Sequence, residues 1–175
     1  IPYYKLGADA VLEALGDAGM KWQDIQIVYS ANTNNGVCPG ELVEAELGHT
    51  GIPVINVQNA CAGGQTACFT AYQAIASGAF DVVLALGLEQ MPRGPVLGMA
   101  PTPTMIMGAE SFLSKYAMKM QRAVYEHRYT LDQMAKVSVK NHKNGSLNPR
   151  SQYKLNLTVE EVHNSRTVAY PLTLY

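Results

Sequence analysis

The sequence predicts an α/β layered fold with a mostly parallel sheet. Between residues 24 and 90, short apolar segments alternate with helical segments in the order β, α, β, α, β, which is typical of this class. The apolar segments at 52–57 and 81–88 are continuous, as in strands that are buried on both faces of a sheet. The chain has 175 residues, 47% of them hydrophobic, which is enough for one globular domain with a sizeable core.

Periodicity and breaker residues predict the elements that come first in the chain. A helix is predicted over residues 5–18 and ends at Gly19; its apolar face consists of Ala8, Val11, Leu12, Leu15 and Ala18. Residues 24–31 alternate in their first half and predict a strand, which a polar turn follows. A second helix is predicted from Pro39, a favoured residue for the first helical turn, to Leu47.

The strand at 52–57 leads into a turn at 59–64 and then into a helix at 65–77. The helical segment is rich in alanine and contains no internal glycine or proline. The strand at 81–88 follows, and two strands joined in this way are expected to be parallel, with a right-handed crossover. Cys61 is therefore expected at the carboxyl end of a strand and the amino end of a helix.

Cys61 is the candidate nucleophile, and the chemistry it suggests is acyl transfer. Free N–H groups and the positive end of the helix dipole favour a thiolate over a thiol at this position. Gly63 and Gly64 lack side chains, so another molecule can approach the backbone. The N–H groups of Ala62, Gly63 and Gly64 are candidates to stabilise an oxyanion. The alternative is a small buried cysteine beside glycines that ease helix–strand packing, and spacing alone favours that alternative.

The remaining cysteines and the histidines rank below Cys61. Cys38 also precedes a helix, but it follows a polar turn and lacks the glycine pair. Cys68 lies seven residues after Cys61 on the same helical face and is expected in the core. His127 and His142 are candidate bases for a thiol, although a single histidine on a helical face more often belongs to the core or the surface.

Residues 91–110 contain recurring proline, glycine and methionine and predict a long loop. Met105 and Met107 are candidates to line an acyl or coenzyme A pocket. Ordinary loop packing or a subunit contact is the preferred interpretation, because methionine fills irregular apolar space in general.

Three helices are predicted after this loop. The first covers residues 111–128. The second begins at a capping box on Thr130 and runs to about Lys143, before Gly145. The third is short and begins at a capping box on Thr158.

Composition excludes several classes of function. The net charge of −1 gives no footprint for nucleic acid or for a membrane surface. No apolar run is long enough for a membrane span, and no secretory leader is recognisable. The odd count of three cysteines does not suggest a disulfide framework and favours a reducing compartment. No cysteine and histidine spacing indicates zinc, and the glycines form no nucleotide-binding motif.

Several separated motifs resemble the thiolase superfamily. Residues 57–67, VQNACAGGQTA, are similar to its nucleophile segment, and residues 87–91, GLEQM, to the G-x-E-x-M that ends the next strand. Residues 47–53, LGHTGIP, together with Asn-His-Lys at 141–143 and Asn-Pro at 148–149, resemble the branch of the sterol-carrier-protein thiolases. The resemblance covers about residues 5–175.

This resemblance implies a five-layered αβαβα fold made of two similar halves, usually in a dimer. Residues 1–90 would form the N-terminal half without its first strand, so we expect a part of a longer polypeptide. Residues 91–170 would form a mainly helical loop domain, and residues 171–175 the start of a returning strand. The strand near 53–58 would lie at or beside a two-fold subunit contact.

The resemblance also implies an acyl-CoA C-acyltransferase. Cys61 would take the acyl group of a 3-oxoacyl-CoA and pass it to coenzyme A, or act in the reverse Claisen condensation. Coenzyme A thioesters would be the substrates, with no covalently bound cofactor and no metal, and Met105, Met107 and His142 would contact them. A catalytic histidine in a Gly-His-Pro motif and a second cysteine would come from the second half.

Two other functions remain open. One is a thiolase-like subunit that binds CoA esters without thiolysis, or that works as an aldolase with a small oligosaccharide/oligonucleotide-binding-fold partner. The presence of Cys61 favours true acyl transfer over this function. The other is decarboxylating ketosynthase chemistry, against which the motif at 141–143 argues. We expect a cytoplasmic protein, or a peroxisomal one if the source is eukaryotic.

Overall fold

The computed structural model describes residues 1–91, 102–108 and 111–175. The chain divides into two compact units, Ile1–Ala100 and Pro101–Tyr175. Most of the predicted loop at 91–110, namely 92–101 and 109–110, lies outside the described residues.

Among the described residues of the first unit, a parallel sheet of three strands is packed against helices. Its elements are α1 (Tyr3–Ala18), β1 (Ile27–Ala31), α2 (Pro39–Leu47), β2 (Val54–Val57), α3 (Gly63–Ala76) and β3 (Val83–Gly87). The strand order is β2-β1-β3, and both outer strands run parallel to β1. The predicted α/β class with a parallel sheet is therefore confirmed, and β1 lies between the two strands that flank α3.

Helices α2 and α3 cover opposite faces of this sheet. A Cβ added at Gly40 of α2 would lie 2.7 Å from the Cβ of Ser30, whereas one added at Gly63 of α3 would lie 3.3 Å from the Cβ of Ala31. Ser30 and Ala31 are consecutive residues of β1, and consecutive side chains of a strand point to opposite faces. Glycine at positions 40 and 63 thus lets each helix approach the strand closely.

The hydrophobic core lies on the side of α1 and α2. Val11 of α1, Val28 of β1 and Val43 of α2 are all nearly inaccessible to solvent, and they belong to one cluster. Trp22 joins this cluster and donates a hydrogen bond from Nε1 to the carbonyl oxygen of Gly48, 2.8 Å away. The apolar face predicted for the first helix is confirmed at Ala8, Val11 and Leu15. It is wrong at Leu12 and Ala18, which are exposed.

The three predicted strands differ from the observed ones in their bounds or their burial. Residues 22–24 form a short 3₁₀ turn in which the side chain of Asp24 accepts a hydrogen bond from the N–H of Lys21, so β1 begins only at Ile27. The prediction that residues 52–57 and 81–88 form strands buried on both faces is wrong. Strands β2 and β3 lie at the two edges of this sheet; Ile55 of β2 remains 45% exposed, and β3 is mostly half-buried.

The second unit is mainly helical and ends in a hairpin. Its elements are α4 (Pro103–Ile106), α5 (Phe112–Tyr125), α6 (Leu131–Ser146), α7 (Val159–Asn164), β4 (Thr167–Ala169) and β5 (Leu172–Thr173). Helices α6 and α7 pack together, α5 packs against β4, and β4 pairs antiparallel with β5. Helix α6 continues through Gly145 to Ser146 rather than ending near Lys143, because Ser146 remains bonded to the last turn through the carbonyl of Lys143.

Both predicted capping boxes are present. Thr130 accepts a hydrogen bond from the N–H of Gln133, and Thr158 accepts one from the N–H of Glu161. In the second box the N–H of Thr158, together with its hydroxyl, holds the pKa of Glu161 below its ordinary value of 4.5. A carboxylate at this position also suits the positive end of the helix dipole.

Candidate active site

A cavity of about 340 Å³ lies at the carboxyl edge of the parallel sheet. The segments that follow all three strands line it: Thr33 and Asn34 after β1, Cys61 after β2, and Glu89 and Met91 after β3. The carboxyl ends of the strands are where open α/β sheets bind ligands. The strand order also favours a ligand site here. The chain moves from β1 to β2 on one side of it and then places β3 on the other side, and open α/β sheets bind ligands where the strand order switches in this way.

Cys61 lies where the sequence predicted it. It is the central residue of a 3₁₀ turn, Ala60–Ala62, which connects the end of β2 to the first residue of α3. Its side chain is exposed and lines the cavity. The alternative of a small buried cysteine therefore does not describe this residue.

Hydrogen bonds within the chain hold the turn around Cys61. The N–H of Ala62 donates to the carbonyl of Asn59 at 3.0 Å, and the N–H of Gly63 donates to the carbonyl of Ala60. The side chain of Asn59 donates to the hydroxyl of Thr66 at 2.9 Å, which in turn donates to the carbonyl of Ala62 at 2.9 Å. These bonds fasten the turn to the first turn of α3.

The backbone of the turn contains one strained residue. Ala60 has φ +44°, a left-handed conformation that alanine rarely adopts. Its N–H donates to Oε1 of Gln58 at 3.0 Å. Such a conformation is unfavourable by roughly 1–2 kcal/mol for a residue other than glycine, so it persists only where neighbouring contacts hold it.

The two glycines after Cys61 have different surroundings. A Cβ at Gly63 would press on Ala31 at 3.3 Å, so this glycine serves the packing of α3 on β1. A Cβ at Gly64 would meet no protein atom within 4 Å among the described residues, although Gly64 lines the cavity. Glycine at position 64 therefore leaves open space beside Cys61.

Glu89 is a site residue whose role the sequence alone does not reveal. Its carboxylate accepts hydrogen bonds from the N–H groups of Thr33 and Asn34, and it lines the same cavity as Cys61. Asn35, in the same loop, donates to the carbonyl of Leu88 at 3.3 Å and accepts from the N–H of Gln90 at 3.1 Å. The sequence carried two signals, an acidic residue directly after an apolar strand and its place in the GLEQM motif, but neither identifies the groups that Glu89 contacts.

The other two cysteines lie elsewhere in the first unit. Cys38 is exposed at the N-cap of α2, with φ +54°, and it is not among the residues that line the cavity of Cys61. The prediction that Cys68 belongs to the core is wrong, because this residue is exposed. The packed face of α3 carries Gly63, Ala67, Ala71 and Ala74. Cys61 precedes the helix, so counting seven residues from it does not define a helical face.

The predicted substrate contacts belong to the second unit. Met105 is half-buried in α4, and Met107, directly after it, is 73% exposed. His142 is half-buried in α6, where its Nδ1 lies 3.0 Å from the carbonyl oxygen of Ser138. Its ring meets that of Tyr175 edge-on, with the centroids 5.8 Å apart. Contacts of these three residues with a substrate remain predictions.

Within residues 1–91, 102–108 and 111–175, no group of three or more histidine, cysteine, aspartate or glutamate residues is arranged to hold a metal ion. No helix among the same residues has the length and apolarity needed to cross a membrane.

Comparison with known proteins places these features in a family. The thiolase N-terminal domain family matches residues 1–168. The acetyl-CoA acetyltransferase of Methanothermobacter thermautotrophicus (strain ATCC 29096 / DSM 1053 / JCM 10044 / NBRC 100330 / Delta H) is 37% identical over 95% of this chain and 46% of its own length. Sterol carrier protein 2 of Gallus gallus is 34% identical over 99% of this chain and 35% of its own length.

A solved structure agrees at the level of the fold. The structure named Ltp2-ChsH2(DUF35) aldolase superposes with a TM-score of 0.76 at 24% sequence identity, covering 99% of this chain and 47% of that one. The chain spans about half the length of the acetyltransferase and about a third of the sterol carrier protein. The chain therefore belongs to the thiolase family, matches its N-terminal domain, and has sterol carrier protein 2 among its relatives.

Proposed function

We propose that this chain carries the nucleophilic cysteine of an acyl-CoA C-acyltransferase, a thiolase, and that Cys61 is the residue acylated. One observation carries the proposal: the thiol of Cys61 is exposed in a cavity at the carboxyl edge of the sheet, in the turn that starts α3. The match to the thiolase N-terminal domain and the similarity to an acetyl-CoA acetyltransferase support it.

The proposed reaction has two halves. Sγ of Cys61, as the thiolate, attacks the 3-keto carbon of a 3-oxoacyl-CoA, and the bond between C2 and C3 breaks. The electron pair of that bond passes to the acetyl-CoA fragment, which takes a proton from an acid that the second half of the protein is proposed to supply, and leaves. The thiol of a second coenzyme A then gives its proton to a base proposed to lie in the same half, attacks the acyl-cysteine and releases a shortened acyl-CoA and the thiolate of Cys61.

The surroundings of Cys61 suit a covalent intermediate of this kind. A thioester on cysteine resembles the thioester of coenzyme A, so transfer remains reversible and the Claisen direction is accessible. The open space at Gly64 leaves room for the acyl group and the pantetheine arm. Ala62 and Gly63 support the turn through their N–H groups, which donate to the carbonyls of Asn59 and Ala60.

The rest of the proposal concerns substrate contacts, assembly and location. Met105, Met107 and His142 are proposed to contact the CoA thioester, and no metal or covalently bound cofactor takes part. The protein is proposed to act as a homodimer with the β2 edge at or near the subunit contact, and in the cytoplasm or, in a eukaryote, the peroxisome. The exposed edge of β2 is compatible with such a contact.

Steady-state thiolysis tests the proposed role. In the natural full-length protein, Cys61→Ser should lower the thiolysis rate by about 10²-fold or more, because a serine hydroxyl is a far weaker nucleophile than a thiolate. Cys38→Ser is the matched control, since Cys38 also precedes a helix but does not line the cavity. It should keep the rate within about two-fold, as expected for an exposed residue away from the chemistry. A Cys61→Ser variant that retains the rate would exclude covalent catalysis by this residue.

The competing function is a thiolase-like subunit that binds CoA esters, alone or with a small partner protein, without thiolysis. It predicts that the wild-type protein binds an acyl-CoA and shows no thiolysis when coenzyme A and a 3-oxoacyl-CoA are supplied together. The same assay with the wild-type protein therefore distinguishes the two functions.

A further inference from the structure

The side chain of Glu89 holds the loop after β1 through hydrogen bonds from the main chain of that loop. Oε2 of Glu89 accepts hydrogen bonds from the N–H of Thr33 at 2.7 Å and from the N–H of Asn34 at 3.2 Å. Oε1 lies 3.3 Å from the same nitrogen of Asn34. Hydrogen bonds to a carboxylate are among the stronger ones in proteins, and two consecutive N–H groups on one carboxylate fix the direction of the peptide between them.

Thr33 connects this loop to the turn of Cys61. Its hydroxyl donates a long hydrogen bond, 3.4 Å, to the carbonyl oxygen of Ala60, the residue before Cys61. Ala60 is the strained residue of the turn, with φ +44°. A residue in this conformation depends on contacts from outside its own turn. The contacts therefore run from Glu89 through the main chain of Thr33 to the peptide that precedes Cys61.

Loop and turn are also walls of the same cavity. Thr33, Asn34, Ala60, Cys61 and Glu89 all line it. Both oxygens of Glu89 face main-chain N–H groups, an arrangement that suits holding the loop rather than moving a proton.

We propose that Glu89 is a positioning residue for Cys61, an inference that rests on the proposed role of Cys61 as the acylated nucleophile. By holding Thr33 and Asn34, Glu89 keeps the loop against the turn and so fixes the direction from which Sγ meets an acyl carbon. A small misplacement of a nucleophile lowers the rate of attack strongly while substrate binding changes little.

The chain offers a matched control in Gln26. Its Oε1 accepts hydrogen bonds from the N–H groups of Asp81 at 2.7 Å and Val82 at 3.1 Å. Like Glu89, it holds two consecutive N–H groups of a distant segment. These bonds lie immediately before β1 and β3, at the amino ends of the strands, whereas Cys61 lies at the carboxyl ends. Loss of this side chain should affect stability without reaching the cavity.

The experiment compares Glu89→Ala, Glu89→Gln and Gln26→Ala in the natural full-length protein. Rapid quenching and mass spectrometry measure the rate at which acetyl-CoA acylates Cys61. The kcat and KM of thiolysis and the melting temperature are measured for the same variants. Hydrogen–deuterium exchange of the segment 59–64 provides a readout that does not depend on activity.

Glu89→Ala should slow acylation by about 10- to 100-fold. For thiolysis, the loss should appear in kcat, whereas KM should stay within about three-fold of the wild-type value. Glu89→Gln keeps an acceptor oxygen and should recover most of that rate. Exchange of the segment 59–64 should be faster in Glu89→Ala than in the wild type. Gln26→Ala should lower the melting temperature with acylation and exchange at 59–64 unchanged.

Three outcomes would be decisive against parts of this account. If Glu89→Ala acylates Cys61 at the wild-type rate, Glu89 does not position the nucleophile, and the proposed function stands. If exchange at 59–64 is the same in Glu89→Ala and in wild type, the connection through Thr33 is wrong. If the wild type is never acylated at Cys61, the proposed function fails, and the exchange comparison alone still decides whether Glu89 holds the turn.

Discussion

Ser30 and Gly40 touch across the interface between β1 and α2. A Cβ at position 40 would lie 2.7 Å from Ser30 Cβ and 2.7 Å from Val54 Cγ1, closer than real Cβ contacts. The N–H of Gly40 also donates to Oδ1 of Asn56 at 2.9 Å, which anchors the first turn of α2 to β2. Helix α2 therefore has no room to carry a side chain here.

Gly40→Ala should destabilise the protein. Overpacking of a well-packed interface typically costs about 1–3 kcal/mol, and the rigid β-branched Val54 cannot move aside easily. Gly16→Ala is the control, because a Cβ at this position of α1 would meet no described atom within 4 Å. It should instead stabilise by about 0.5–1 kcal/mol through helix propensity. Denaturant unfolding of both variants measures the difference, and equal effects would show that α2 does not pack on β1 as described.

Ser30→Ala should leave the protein as stable or more stable. The hydroxyl of Ser30 is fully buried and has no hydrogen-bond partner among the described residues. An unpaired buried polar group costs roughly 1–3 kcal/mol, so its removal should raise the free energy of unfolding by about 1 kcal/mol. The same denaturant titration gives the value. A loss of stability would mean that the hydroxyl has a partner in solution.

Larger side chains at position 64 should be compatible with folding but should slow the acylation of Cys61. Gly64→Ala and Gly64→Leu place atoms in open space at the start of α3, and both residues favour a helix more than glycine does. Their melting temperatures should match or exceed that of the wild type. Acylation of Cys61 should fall with side-chain size, by about 10-fold or more for leucine, because the acyl group loses its room. Unchanged acylation in both variants would place the substrate elsewhere.

The capping box of α7 should make a pH-dependent contribution to stability. Bonds from Thr158 lower the pKa of Glu161 in the folded protein, so folding favours its ionised form. This contribution is complete above the ordinary value of 4.5 and is lost as the pH falls through the lower pKa of the folded state. Glu161→Gln removes the titration, so the stability difference between wild type and variant should shrink below that pH. A difference that stays constant under acid would contradict the assignment.

The sequence predicted the site better where local rules decide the structure. Capping and proline chemistry, which a few neighbouring residues determine, predicts where three helices begin. These are α2, with Pro39 as its first residue, and α6 and α7, with Thr130 and Thr158 as their N-caps. The turn at Cys61 follows from an apolar strand, two glycines and an alanine-rich helix in succession.

Features that depend on distant segments were missed. The hydrogen bonds of Glu89 to Thr33 and Asn34 form only because the ends of β1 and β3 are neighbours in the sheet. A carboxylate that follows a strand in the sequence does not indicate which N–H groups will donate to it. The exposure of Ile55 depends on the edge position of β2, which a run of β-branched residues does not reveal. The expectation that Cys68 lies in the core rests on a count of seven residues from Cys61, which belongs to the turn before α3 and does not define a face of that helix.

The most direct measurement of the central claim is the position of the acyl group. The natural full-length protein is incubated briefly with acetyl-CoA, quenched in acid, digested and analysed by peptide mass spectrometry, with Cys61→Ser and Cys38→Ser in parallel. The account predicts an acetyl thioester on the peptide that contains Cys61, present in wild type and Cys38→Ser and absent in Cys61→Ser. An acetyl group on Cys38 or Cys68, or none on any cysteine, would contradict it.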